Sequence, residues 1–184
     1  MNKKTINSVF FRYILLVVLG IPNLFIFYFI LTPLTFYPSY FFIKLIYGAQ
    51  IIAENTIFFK GYSAIIIPAC IAGSAYYLLT ILNLTTPLNF KTRIKSLIFL
   101  ILSFLILNII RIVFFSALFV NKGYDYFNVT HIATWYFGST ILVILIWFAN
   151  VFIFKIKSIP VYSDFKNLSN SLLNKHSKKY MEKK

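Results

Sequence analysis

Long apolar segments alternate with short polar ones along the chain, and this pattern predicts helices that cross a membrane. Four such segments cover about residues 9–34, 68–84, 96–119 and 131–154. Apolar runs of about 20 residues are typical of transmembrane helices. The first run is longer than a signal-peptide core and has no small-residue cleavage site, so we expect a retained span. Its Gly20-Ile21-Pro22 motif predicts a kink, which membrane helices tolerate.

Residues 35–67 interrupt the pattern and are predicted to stay on one side of the bilayer. They are rich in aromatic residues but contain prolines and polar or charged side chains, among them Lys44 and Glu54. Burying those charges in a further span would be costly. We expect an amphipathic helix at the interface over residues 40–53 and a short hairpin over residues 56–67.

Composition supports a membrane protein and excludes several other classes. Of the 184 residues, 60% are hydrophobic and 12% are charged, whereas soluble domains carry roughly 25–35% charged residues on their surface. A nucleic-acid-binding domain is therefore not expected, despite the net charge of +14. One cysteine excludes an internal disulfide, and two histidines with one cysteine cannot build a structural zinc site. No metal or organic cofactor is expected.

Basic residues orient the predicted spans. With the N-terminus in the cytoplasm, 14 of the 18 basic residues lie on the cytoplasmic side, in the N-terminal segment, the loop 85–95 and the tail 155–184. This arrangement follows the positive-inside rule, and a five-span alternative fits it less well. We predict a single domain, residues 1–184, with an all-α multi-pass fold in the cell membrane. An extracytoplasmic interfacial segment and a basic cytoplasmic tail complete it.

Three reactive side chains fall near the outer leaflet in this topology. Cys70 lies in the first turn of the second span, where Pro68 favours a helix start and the positive helix end favours a thiolate. Arg111 lies inside the third span and can extend its side chain outward. His131 lies at the outer start of the fourth span, and Asn108, one turn from Arg111, is placed to orient it.

Each of these residues also has a simpler interpretation. A cysteine in a membrane helix is usually a small apolar packing residue. A histidine at a helix start is often only an interfacial polar group, and an intramembrane arginine can be a structural ion pair or an interfacial anchor. Taken together, however, the three groups fit thiol acyl transfer. Cys70 would attack a carbonyl, His131 would carry the proton, and Arg111 would stabilise negative charge.

Three segments resemble the exosortase/archaeosortase family of membrane transpeptidases. They are Pro68-Ala69-Cys70-Ile71-Ala72-Gly73-Ser74-Ala75-Tyr76-Tyr77, Asn108-Ile109-Ile110-Arg111-Ile112, and His131-Ile132-Ala133-Thr134. They correspond in order to the family's nucleophile segment, its Asn-x-x-Arg motif and the histidine that opens the following helix. Many members have Ser-Gly directly after the cysteine and about eight spans. This short chain with Ile71-Ala72 in that place is more similar to the small archaeal members.

The resemblance implies a substrate class and a reaction. Such enzymes recognise a C-terminal sorting signal on exported proteins, made of a short motif, a membrane helix and a basic cluster. They cleave near the motif and pass the protein to a lipid or another acceptor. The resemblance therefore implies catalytic roles for Cys70, Arg111 and His131, and a site on the extracytoplasmic face.

Two functions of other classes stay open from the residues alone. One is a non-catalytic membrane subunit or small transporter in which Arg111 and Glu54 line a polar path. The other is a thiol-dependent acyltransferase that acts on lipids. The membrane lipids themselves are expected partners of the basic tail.

Overall fold

The computed structural model describes residues 3–20 and 24–156. These residues form seven helices, a π-helical turn and three short strands, together with the loops between them. The N-terminal half contains α1 (Lys3–Gly20), α2 (Phe25–Tyr47), β1 (Gln50–Ala53), β2 (Thr56–Phe59) and β3 (Tyr62–Ile65). The C-terminal half contains α3 (Pro68–Ile71), α4 (Gly73–Thr85), α5 (Phe90–Lys122), α6 (Tyr124–Ala133), the π-helical turn Thr134–Gly138 and α7 (Ser139–Ile153).

Four helical segments are long and apolar enough to cross a membrane. They are Phe25–Tyr47, Pro68–Thr85, Phe90–Lys122 and Tyr124–Ile153. Many of their apolar side chains are exposed to the surroundings of the protein, as expected for surfaces that face lipid rather than water. The prediction of a mainly helical protein with four membrane-length helices is therefore confirmed, and a small sheet accompanies the helices.

The boundaries predicted for the first span, residues 9–34, are wrong. Helix α1 ends at Gly20, α2 begins at Phe25, and Leu24 has a left-handed backbone with φ of 60°. The kink predicted at Gly20-Ile21-Pro22 falls largely on residues 21–23, which lie outside the described residues, and the membrane-length helix is α2. Pro33 and Pro38 lie inside α2. Membrane helices tolerate proline because neighbouring groups can satisfy the backbone carbonyls that lose a helical N–H donor.

The interfacial helix predicted over residues 40–53 is also wrong. Residues up to Tyr47 continue α2, and Gln50–Ala53 form β1. Lys44 lies in the last turn of α2, and its ammonium is 5.7 Å from the centre of the Tyr40 ring. Because the charged group lies at the end of the helix, it does not interrupt α2.

The hairpin predicted over residues 56–67 is confirmed. Strands β2 and β3 pair antiparallel through the turn Lys60-Gly61, whose φ angles are 49° and 83°. Positive φ at both central residues is the signature of a two-residue type I′ hairpin turn. Strand β1 pairs with the other side of β2 and completes a sheet of order β1-β2-β3.

The fourth helical segment begins earlier than residues 131–154 predict. Only Gly123, with φ of 81°, separates α5 from α6, and helical structure then continues from Tyr124 to Ile153. His131 therefore lies in the last turn of α6 and not at a helix start.

The loop predicted over residues 85–95 is shorter than expected, because Asn89 caps α5 by accepting a hydrogen bond from the Thr92 backbone at 2.8 Å. Most of the predicted basic tail, residues 157–184, lies outside the described residues.

Helix α5 is the central support of the bundle. Near its start, the Ser96 hydroxyl accepts a hydrogen bond from Asn83 Nδ2 at 2.7 Å and donates one to Asn150 Oδ1 at 2.8 Å, which ties α4, α5 and α7 together. Near its far end, the Phe119 ring packs edge-on against Tyr62 of β3, with ring centres 4.8 Å apart. The sheet therefore lies at the opposite end of the bundle from the Asn–Ser–Asn link.

Candidate active site

Cys70 lies in a helix of a single turn. Pro68 occupies its first turn after the extended residue Ile67, and Ala72, with φ of 58° and ψ of 45°, ends it in the left-handed region. The Cys70 backbone N–H is bonded to Ile67 O at 2.8 Å. The start of a helix at Pro68 is as predicted. The influence of a helix end on the thiol stays a prediction; α3 has only four residues, and this N–H is already bonded.

Two side chains of α5 hold the carbonyl groups of this short helix. Asn108 Nδ2 donates to Cys70 O at 2.9 Å and to Ile71 O at 3.4 Å. Arg111, one helical turn further, donates from Nη2 to Cys70 O at 3.2 Å. The predicted neighbours Asn108 and Arg111 thus act on the same backbone segment. Asn108 supports the nucleophile segment directly rather than orienting the arginine.

Arg111 is also close enough to interact electrostatically with the Cys70 thiol and with His131. A guanidinium carries five N–H donors in a fixed plane. It can therefore bond the Cys70 carbonyl on one edge and present positive charge to the thiol and to a bound carbonyl oxygen on another.

His131 is held by aromatic rings on two helices. Its imidazole stacks on Phe127, with centres 5.1 Å apart and planes 11° apart, and meets Phe115 edge-on at 5.3 Å. Phe127 is one turn earlier on α6, so the stack fixes the ring direction from within the same helix. A helix start is therefore not needed to position this histidine.

The three predicted residues line the same open cavities. A cavity of about 280 Å³ lies between β3, α5 and α6, and a second of about 210 Å³ lies between α3 and the start of the π-helical turn. Cys70, Arg111 and His131 contribute to both cavities, together with Phe115. The structure therefore brings together the residues that the sequence placed at one level. Their catalytic roles stay predictions.

A third cavity extends from this site along the helices. It measures about 350 Å³ and again reaches Arg111, with Trp135 and Ser139 on one wall. Its other wall is formed by small residues of α3 and α4, including Ala69, Ala72 and Ser74, although Tyr28 also contributes. Arg111 therefore borders this cavity as well as the two that Cys70 and His131 line.

Beneath the site lies a group of buried hydroxyl groups that the sequence did not single out. Thr35 and Ser39 of α2 and Tyr76 of α4 are almost fully buried. Tyr76 neighbours both Thr35 and Arg111, yet the three hydroxyl groups have no partner at hydrogen-bonding geometry among the described residues. Thr35 and Ser39 fall in the segment predicted to lie at the membrane surface, so their burial could not be foreseen.

None of the four cavities described for this part of the chain is lined by both Glu54 and Arg111. Glu54 lies in the turn between β1 and β2 and lines a separate pocket with residues of α2, among them Pro33 and Tyr37. The polar path that would join Glu54 to Arg111 in a transporter has no support from these cavities.

Comparison of the chain with models of known families, with curated proteins and with solved structures gives no match.

Proposed function

We propose that this chain is a membrane-embedded cysteine peptidase and transpeptidase. It cleaves C-terminal sorting signals of exported proteins at the extracytoplasmic face of the cell membrane and transfers the protein to a lipid or another acceptor. The observation that carries the proposal is that a thiol, a guanidinium and an imidazole from three helices line one cavity. The sorting-signal substrate rests on the resemblance of the Cys70, Arg111 and His131 segments to the exosortase/archaeosortase family.

The first half of the proposed reaction forms a thioester. His131 removes the proton from the Cys70 thiol, and the sulfur attacks the carbonyl carbon of the scissile peptide bond. Arg111 stabilises the resulting oxyanion and, before attack, the thiolate. When the C–N bond breaks, the imidazolium returns its proton to the leaving amine, and the acyl group stays on sulfur.

The second half releases the acyl group to an acceptor. An amine or hydroxyl attacks the thioester carbonyl while His131 takes its proton. The C–S bond then breaks and the sulfur regains a proton from the imidazolium, which restores the starting state. Water in place of the acceptor would give simple hydrolysis.

Substitution of the nucleophile tests the proposal. In cells that express a reporter with a C-terminal sorting signal, Cys70→Ala and Cys70→Ser should abolish processing while the protein still accumulates in the membrane. The serine variant is informative because a hydroxyl is a much poorer nucleophile than a thiol, even with the same histidine available as base. Processing by Cys70→Ala at the rate of the unsubstituted protein would refute the assignment.

Two rival functions make different predictions for the same thiol. A membrane subunit without catalytic activity would contain a packing cysteine that reacts slowly with a membrane-impermeant alkylating reagent, whereas Cys70 in the proposed site should react quickly. A lipid acyltransferase would instead accumulate a fatty acyl group on Cys70, which differs in mass from a peptidyl group.

A further inference from the structure

One strand edge runs along the cavity that contains Cys70. Five consecutive residues, 62–66, line this cavity. Successive side chains of a strand point to opposite faces, so a cavity that touches all five cannot lie over one face. It must follow the edge of β3.

The same edge lacks a neighbouring strand in the described structure. The sheet has the order β1-β2-β3, so β3 pairs with β2 on one side only. Phe59 and Tyr62 flank the two-residue turn and form its closing, hydrogen-bonded pair. Since bonded and non-bonded pairs alternate along an antiparallel ladder, the backbone groups of Ser63 and Ile65 point away from β2, toward the open edge.

The opposite wall of the cavity is mainly apolar, so it offers few groups that would compete with a bound peptide for the backbone of Ser63 and Ile65. It is formed mainly by apolar side chains of α5 and α6, namely Ile112, Phe115, Phe119 and Phe127. Cys70, Arg111 and His131 line the same cavity, and Cys70 follows Ile66 by four residues along the chain. An extended peptide paired with β3 would therefore have its backbone bonded on one side, its side chains against apolar walls, and one carbonyl close to the thiol.

We propose that β3 is the substrate-binding strand: an extended segment of the substrate pairs with the edge at Ser63 and Ile65 and presents its scissile bond to Cys70. This inference rests on the proposed function and specifies how that site recognises its substrate. Recognition then depends on the substrate's backbone amides, as in other cases where a peptide adds a strand to a sheet. Small or apolar side chains fit best beside the scissile bond.

The rates at which two electrophiles of different size label Cys70 distinguish strand pairing of a peptide from the reactivity of the thiol itself. The full chain in lipid vesicles is treated with iodoacetamide or with acetyl-Ala-Ala-Ala chloromethyl ketone, and labelling of Cys70 is followed by mass. In the second reagent, the sulfur displaces chloride to form a C–S bond. A form of the same peptide with two N-methylated amides keeps its electrophile but lacks two donors. Each lost hydrogen bond should slow labelling about fivefold. The methylated peptide should therefore label Cys70 roughly 25-fold more slowly than the unmethylated one.

A proline scan provides the matched control in the protein. Ser63→Pro removes an outward N–H on β3, and edge strands tolerate proline there. It should slow the peptide reagent about fivefold and leave the iodoacetamide rate unchanged. Ile51 lies on the opposite edge of the sheet and pairs with Ile57, so the alternation also turns its N–H outward. Ile51→Pro should change neither rate.

The outcomes distinguish this inference from the proposed function. Equal labelling by the methylated and unmethylated peptides would overturn the inference even if Ser63→Pro failed to fold. Rapid reaction with iodoacetamide but no faster reaction with the peptide would also overturn it, while the nucleophile assignment would stand. Failure of both reagents to label Cys70 would overturn the inference and the proposed function together.

Discussion

The hydrogen bonds from Asn108 to the nucleophile segment give the sharpest test of how the site is built. Asn108 is 1% exposed and donates to the carbonyls of Cys70 and Ile71. Asn108→Leu keeps a side chain of similar size but removes both donors. In this variant Cys70 O keeps its hydrogen bond from Arg111 at 3.2 Å, whereas the carbonyl of Ile71 loses its hydrogen bond from Asn108.

The expected loss of stability is small because two effects oppose each other. A hydrogen bond contributes about 0.5–1.5 kcal/mol net, and double-mutant cycles in a membrane protein average about 0.6 kcal/mol. The substitution also removes Asn108 Oδ1, a buried acceptor with no partner among the described residues, and removal of an unpaired acceptor is favourable. We expect the free energy of unfolding to fall by about 1 kcal/mol.

The expected loss of activity is much larger. Helix α3 has only four residues and ends at the left-handed Ala72, so little besides Asn108 and Arg111 fixes the Cys70 carbonyl. A displacement of about 1 Å at a reacting atom can cost roughly 10²-fold in rate. We therefore expect processing of a sorting-signal reporter to slow by about two orders of magnitude.

Thermal unfolding in detergent and reporter processing are measured on the same variants. Asn121→Leu is the matched control, because Asn121 is exposed on the same helix and its bonds are weak or local. It donates at 2.8 Å to Ala117 O within the helix and at 3.4 Å to the Tyr47 hydroxyl of α2. The Asn121→Leu control should change stability by less than about 0.5 kcal/mol and leave processing intact. If Asn108→Leu processes the reporter as fast as Asn121→Leu, Asn108 does not position the nucleophile.

Three further substitutions test other parts of the account. Arg111→Lys keeps the charge but loses the planar donor group, so processing should fall at least about tenfold although the protein still unfolds at a similar temperature. Gly73→Ala brings a Cβ to 2.8 Å from Tyr28 Cζ; it should cost about 1–3 kcal/mol of stability, and additional Tyr28→Ala should recover part of that loss. Ser96→Ala removes two interhelical bonds and should lower the free energy of unfolding by about 1–3 kcal/mol. Ser116→Ala, whose hydroxyl bonds only its own helix in the described structure, should cost less. Equal unfolding temperatures for the two serine variants would contradict the proposed link, as would an unimpaired Arg111→Lys.

The helices predicted most accurately are those with continuous apolar sequence. Residues 96–119 lie within one observed helix, because nothing in their sequence competes with a helix in lipid. Residues 68–84 are also helical, although the left-handed Ala72 divides them into α3 and α4, a break that the sequence did not indicate. The prediction failed where local signals conflicted. Pro38 and Lys44 indicated that a helix would be unfavourable in this segment. In the structure Pro38 lies inside α2 and Lys44 lies in its last turn, where a charged side chain is tolerated.

The meeting of the three site residues could be predicted, whereas three structural features around them could not. Loop charges placed Cys70, Arg111 and His131 at one level, and in the structure they line one cavity. The π-helical turn and the early start of α6 were missed, because the polar sequence before His131 resembles a loop and only Gly123 interrupts the helix. Strand β1 was missed because all four of its residues are exposed, so no alternation of buried and exposed positions marks it.

A covalent intermediate on the thiol tests the central claim most directly. The full chain in vesicles is mixed with a reporter that carries a C-terminal sorting signal, quenched in acid, digested and analysed by mass. The account predicts that the peptide containing Cys70 carries the reporter's acyl fragment as a thioester, which hydroxylamine removes and which Cys70→Ala lacks. A reporter that is processed with no acyl fragment on Cys70 at any time, or with a fatty acyl group there instead, would contradict the account.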